Sequence, residues 1–226
     1  AHYESISRGV LDMRDVCYFM VVSGCLLAFT FKKEWHWKDV LVLPVALLVL
    51  FLVHWMVVRI DLTTEKRYTF SSQTKQLLRQ QEHPLSVTVY LDGDLNMGFL
   101  RLKKATDDML QEMDVYAAEG ISVTFQNPSL AATEKERQQH YAKLENKGLR
   151  PTVVHDKDAE GRMQQKVVFP WAEVAVGSDT IPVSLLKNIS GKSGQENLNI
   201  SIENLEYELT DAIRILSTKN IQKVAF

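Results

Sequence analysis

Two uninterrupted apolar runs near the start of the chain constrain its architecture more than any other feature. The first is Val16 to Phe31, VCYFMVVSGCLLAFTF, with no acidic or basic residue in it. The second is Val40 to Val58, where His54 is the one titratable side chain. A hydrocarbon core about 30 Å thick takes roughly 17–25 helical residues to cross. The second run meets that length. Tyr18, Trp35 and Trp37 extend the first through an interface. A buried helix pair in a soluble core is the competing reading, but neither run has the polar stripe such helices show. A cleavable leader is disfavoured, because Asp12 and Asp15 precede the first run and no small-residue cleavage site follows. Cys17 and Cys25 read as small residues in lipid or at a helix contact. The expectation is two N-terminal transmembrane helices, at about residues 16–31 and 40–60.

The link between them, Lys32 to Asp39, suits only a tight hairpin. Its three lysines favour the cytoplasmic side. Arg8, Arg14 and Arg59 at the far ends weaken that bias. On this topology the N-terminus and everything after Arg59 lie outside the cytoplasm. Pro44 sits one turn inside the second run, where it is tolerated. His54, beside Trp55 and a turn from Arg59, reads as interfacial.

Composition excludes several classes. Apolar residues make up 46% and charged residues 24%, which excludes a mainly disordered chain. Two cysteines exclude a disulfide scaffold. A net charge of −2 gives no reason to expect nucleic acid as a partner. The mean hydropathy of −0.13 averages an apolar start and a polar remainder.

From Asp61 onward strands and helices alternate. Ser71 or Ser72 caps a short helix with Leu77 and Leu78, and Pro84 closes it. Ser86 to Leu91 alternates as a strand, and Asp92-Gly93 marks a turn. Phe99, Leu102, Thr106, Met109, Met113 and Tyr116 recur at helical spacing, and Gly120 ends that helix. Ile121, Val123 and Phe125 mark the next strand, so a parallel pair with a right-handed crossover is expected. Thr133 and Glu136 form a capping box on a polar helix reaching about Lys147. Short strands follow near 152–155, 166–169 and 174–176. Gly177-Ser178-Asp179 then turns the chain into a hairpin strand at 181–185. After a polar loop, Ile202, Leu205, Leu209, Ile213 and Leu216 mark one long helix, with Glu203 and Glu206 in its first turns. A last strand reads at Ile221 to Phe226. The expected fold is α/β, a β-α-β start in a thioredoxin-like or flavodoxin-like sheet with an antiparallel hairpin. An apolar strand at one end and a first residue other than Met read as a fragment cut at both ends.

Motifs that could carry chemistry fail on spacing. Gly191-Lys192-Ser193 lacks the glycine a phosphate loop needs five residues before Gly191, where Leu186 stands. Asp156, Asp158, Glu160 and Gly161 resemble the start of a calcium loop. Val167 stands where the bidentate Glu belongs, so a solvated hairpin tip fits better. Asp92 and Asp94 follow a strand, a common ligand location, yet an Asp-Gly turn explains them. His83, His140 and His155 show no metal-ligand spacing. Asn188-Ile-Ser190 and Asn199-Ile-Ser201 fit the glycosylation pattern, which matters only in a eukaryotic secretory setting. No catalytic, cofactor-binding or metal residues are assigned, and no enzyme activity is expected.

Several spaced motifs resemble the auxiliary, substrate-binding-like component of gliding-motility ABC transporters, the GldG type. They begin with Asp61-Leu62-Thr63 and Lys66-Arg67-Tyr68-Thr69. Tyr90 to Leu95 with Phe99 and Leu102 continues the likeness, as do Asn127-Pro128, Glu134 to Arg137 and Lys147 to Thr152. Val183 to Lys187 and Ile202 to Glu208 complete it, over about residues 40–226. Tyr3 to Asp12, Arg14-Asp15-Val16 and Tyr18-Phe19 are similar instead to the end of the partner permease, the GldF type. The resemblance implies a permease tail at 1–33, a cytoplasmic loop at 34–39, an anchor at 40–60 and a periplasmic α/β domain at 61–226. It also implies a bacterial inner-membrane location and a non-catalytic role beside a separate ABC ATPase subunit and the rest of the permease. Envelope or motility proteins are possible further partners, and the family carries no cofactor. A membrane-anchored scaffolding module without transport is the alternative. A hydrolase with its site beyond residue 226 is a third reading.

Overall fold

The alternation in Leu85 to Val89 is the seed of the architecture: Leu85, Val87 and Val89 are buried, while Ser86 is exposed. In the computed structural model, residues 10–31, 51, 59–61, 69–157 and 162–218 are described. The chain divides into two compact units, Ala1–Thr69 and Phe70–Phe226.

In the first unit β1 (Val10–Asp12) leads directly into α1 (Met13–Phe31). β1 pairs antiparallel with β2 (Arg59–Asp61), Val10 opposite Asp61 and Asp12 opposite Arg59. The expectation of two transmembrane helices is corrected here: among the described residues no helix is long and apolar enough to cross a membrane. The physical reason lies in the first turn of α1. Asp15 is buried there and Asp12 just before it, and Arg14 grips Asp12 through Nη2 at 2.6 Å. The apolar part therefore starts only at Val16. At 1.5 Å per residue, Val16 to Phe31 covers about 24 Å, short of an ~30 Å core. Thr30 hydroxyl also turns back onto the Leu26 carbonyl at 2.8 Å. The run at 40–58, with Pro44 and His54 and apart from Phe51, lies outside the described residues, as does the link from Lys32 to Asp39. Arg59 and Ile60, assigned to the end of the anchor, belong to β2.

The second unit begins with α2 (Ser72–Arg79), capped by Ser71, whose hydroxyl accepts from the Thr74 N–H at 3.1 Å. Then come β3 (Leu85–Val89), α3 (Met97–Tyr116), β4 (Ile121–Phe125) and α4 (Glu134–Asn146). β5 (Thr152–Lys157), β6 (Met163–Val168), β7 (Trp171–Val176) and β8 (Asp179–Ser184) follow. α5 (Gly194–Glu203) and α6 (Leu205–Thr218) close the described part.

The main sheet has the order β4-β3-β7-β8. β3 and β4 run parallel, while β3–β7 and β7–β8 run antiparallel. A flavodoxin-like sheet, parallel throughout, is thereby excluded. The β7–β8 hairpin, turning at Gly177, places its strands beside the parallel pair instead.

Register sets one face of this sheet as the core. Val87 lies opposite Val174, Val89 opposite Ala172, and Ala172 opposite Val183, all buried. α3 covers that face with Phe99, Leu102, Met109, Leu110 and Met113. α6 adds Leu205, Leu209, Ile213 and Leu216 to the same cluster. Fully burying one such side chain is worth about 1.5–3 kcal/mol, so this face holds the unit together. The opposite face presents Ser86, Ser122 and Thr124, all exposed. A smaller cluster of Tyr90, Tyr141, Leu144, Leu149 and Phe169 joins α4 to the sheet's rim. β5 and β6 pair with each other in a separate two-stranded arm.

Two expectations near the end are corrected. The polar loop contains α5, whose capping box pairs Ser193 with Glu196. The long helix is broken at Asn204, whose side-chain amide donates to the Ile200 carbonyl at 2.8 Å. Ile202 and Glu203 thus end α5, and Glu206 opens α6. The strand expected at Ile221 to Phe226 lies outside the described residues.

Candidate functional site

Strand ends in α/β sheets are where side chains from different elements converge. Here the convergence follows β3. Tyr90 and Leu91 are buried, and the chain then turns through Asp92-Gly93-Asp94. Gly93 has φ of +107°, and a Cβ there would stand 2.7 Å from the Asn127 side-chain amide. Asn127 follows β4, so the turn after β3 and the turn after β4 touch at this glycine. The Asn127 oxygen accepts from the Ser129 N–H at 2.9 Å. Ser129 and Tyr141 hydroxyls lie 2.8 Å apart, tying α4 to the same rim.

Each carboxylate at this edge that the sequence singled out faces a lysine. Lys103, in the second turn of α3, reaches Asp92 at 2.6 Å and lies over the Phe125 ring at 5.2 Å. That hydrogen bond holds the Asp92 carboxyl below its ordinary range, outweighing burial. Lys166 on β6 bridges Asp94 at 2.8 Å and Asp156 at 3.4 Å. Its ammonium is held above its ordinary range chiefly by the Asp94 bond. On the other side of Tyr90, its phenol donates to Glu173 Oε2 at 2.5 Å. Burial first, and then the Glu173 carboxylate, push the phenol well above its ordinary value. Lys147, the C-cap of α4, contacts both Glu173 oxygens at 2.9 Å. Trp171 indole donates to the Arg150 carbonyl at 2.8 Å, fixing the chain just beyond α4.

This rim is a charge-compensated network. It joins β3, α3, β6, β7 and α4 and presents bridged ions to solvent. Among the described residues no three His, Cys, Asp or Glu side chains are grouped to hold a metal ion. His83 and His140 are exposed and far apart in sequence, and His155 Nε2 meets Gln165 at 3.1 Å. Gly191-Lys192-Ser193 is explained by the capping box: the Ser193 N–H donates to Glu196 at 2.8 Å, and Lys192 pairs with Glu196. Asn199 lies within α5 and accepts from Arg101 at 3.1 Å, so that sequon is helical. Asp158, Glu160 and Gly161 lie outside the described residues.

Sequence reading singled out Asp92 and Asp94 and missed their partners. Lys103 stands eleven positions from Asp92, and Lys166 comes from another sheet, so no short motif links them. The Tyr90–Glu173 bond depends on the β3–β7 register. Ser193 and Glu196, by contrast, carry the visible S-x-x-E signature.

Residues 64–175 match a family described as a domain of unknown function (DUF7088). No curated protein matches the chain, and no solved structure does.

Proposed function

We propose that the unit from Phe70 onward is the auxiliary component of a gliding-motility type ABC transporter at the bacterial inner membrane. It works without chemistry of its own, on the periplasmic side, beside a permease and a separate ATPase subunit. The observation that supports this reading is where the resembling motifs fall. Tyr90 to Leu95 forms the rim turn, Asn127 locks it, and Lys147 to Thr152 joins α4 to β5. Glu134 to Arg137 opens α4, and Val183 to Lys187 leads from β8 toward Ser201, whose hydroxyl accepts the Lys187 N–H at 2.8 Å. Each of these motifs thus serves a joint of one unit, and Asp92, Asp94, Lys147 and Lys187 within them are held in ion pairs. Such residues suit a rigid element that transmits or receives conformational change rather than a reaction centre.

Affinity capture of the tagged full-length chain from its native membrane tests the reading. A permease and an ATP-binding subunit are expected in stoichiometric amount. Recovery of envelope polymer or other partners with no ATP-binding subunit would overturn it in favour of a scaffold.

A further inference from the structure

α2 breaks a local rule. Its first turn, Ser72 to Lys75, holds a cation and no acidic residue, although the positive end of a helix dipole disfavours a cation. Arg79 stands four positions further on, in the last turn, so the two charges are neighbours on one face of the helix. Like charges at that spacing repel. The negative end of the dipole accounts for Arg79 and leaves Lys75 unexplained.

No carboxylate compensates this pair. Among the described residues Lys75 and Arg79 form no ion pair, whereas Lys103, Lys104, Lys166, Lys187 and Arg214 each do. Glu206 meets the start of α2 through the Ser71 N–H at 3.1 Å and the Thr74 hydroxyl at 2.7 Å, on the side that faces α6.

What the two cations share is one aromatic ring. Lys75 Nζ lies 5.3 Å from the centre of the Tyr116 ring, and Arg79 Cζ lies 6.0 Å from it. The ring is steadied from elsewhere: buried Phe70 packs against it edge-to-face, with centroids 5.8 Å apart and planes at 70°. The two helices are locked by their backbones as well. The Ala118 N–H, just past α3, donates to the Leu78 carbonyl near the end of α2 at 3.1 Å. Lys75 and Tyr116 are half-buried and Arg79 is exposed, so the charges rest on a fixed base and stay open to solvent.

The donors name the ligand. A guanidinium offers paired N–H groups that match two oxygens of one phosphate, and an ammonium adds a compact charge beside it. A phosphate monoester carries about −1.5 to −2 near pH 7, which balances both cations. A single carboxylate would leave one of them uncompensated. We propose that Lys75 and Arg79, seated on Tyr116, bind a phosphate group at the joint of α2 and α3. This rests on these side chains alone and not on the transporter reading.

Inorganic phosphate titrated into the full chain tests it, with the amide resonances of Lys75, Arg79 and Ala118 followed by NMR. Saturable shifts are expected, and sodium chloride at equal ionic strength should not reproduce them. Lys75→Gln combined with Arg79→Gln should weaken the affinity at least about tenfold, the worth of one charge-assisted bond. Flotation with phosphatidylcholine vesicles, with and without phosphatidic acid, distinguishes the sources. Binding gained with phosphatidic acid and lost in the double variant assigns the site to a lipid headgroup. Saturation by phosphate without that gain assigns it to a soluble phosphate. No saturable shift and no gain with phosphatidic acid in the unmodified chain would overturn the proposal, whether or not the variant folds. Shifts that chloride reproduces, or phosphate binding that the double variant keeps, would overturn it too.

Discussion

Gly93→Ala isolates what holds the rim together, and its magnitude can be worked from the structure. A side chain at φ of +107° is strained whatever the space around it. Left-handed backbone costs an L-residue about 1–2 kcal/mol. The new Cβ would also stand 2.7 Å from the Asn127 amide and 2.8 Å from its Cγ. Asn127 yields only by giving up the bond from the Ser129 N–H, about 1 kcal/mol more. The sum is about 2–3 kcal/mol, or roughly 4–12 °C in Tm for a domain of this size. Two controls separate the parts. Gly177→Ala, at φ of +59° with nothing within 4 Å, carries the backbone part alone. Asn127→Ala combined with Gly93→Ala should recover the steric part, a coupling of about 1 kcal/mol. Equilibrium urea unfolding of the full chain, followed by circular dichroism, measures these three variants and Asn127→Ala alone, which closes the cycle. A Gly93→Ala loss equal to that of Gly177→Ala, or no coupling to Asn127, would refute the close approach.

Leu102→Ala empties a fully buried position between α3 and the sheet and should cost about 2–5 kcal/mol in the same assay. Thr133→Ala removes half of the α4 capping box and should cost about 1 kcal/mol, read as faster exchange of α4 amides than of α3 amides. The raised Tyr90 phenol gives stability that is complete below the ordinary value of 10.0 and is lost as pH rises through its higher folded value. Absorbance titration should therefore show one phenol resisting ionisation until the fold opens, and Tyr90→Phe should remove it. The lowered Asp92 carboxyl works in the other direction: its contribution is present above the ordinary 3.8 and is lost as pH falls through the folded value. Lys103→Met should flatten that part of the acid limb, measured by urea unfolding between about pH 5 and about pH 2.

The β-α-β start was legible because Leu85 to Val89 and Ile121 to Phe125 alternate and the helix between them carries an unbroken apolar stripe. Each signal is local, and tertiary packing agrees with it. α5 was not legible, since GQENLNISIE offers few apolar positions and its strongest mark is the capping box before it. The break at Asn204 escaped because Ile202 and Leu205 keep helical spacing across it. The first apolar run misled for a different reason. Its length in apolar residues suggests a span, while the polar first turn of α1 sets how much of the helix those residues fill. At the rim, Asp92 and Asp94 were visible as a turn. Which lysine meets each depends on β6 and α3 folding against β3, information that no single segment holds.

The pairing of β1 with β2 has a consequence for how the chain can be rebuilt. Asp12 and Arg59 are partners across two antiparallel strands, so their Cα atoms lie about 4.5–5.5 Å apart. Everything from Met13 to Val58 is thus a detour that leaves and rejoins the path at one place. A two-residue Asn-Gly turn spans such a gap. A chain joined in that way would keep the strand pair as an ordinary hairpin and dispense with both apolar runs.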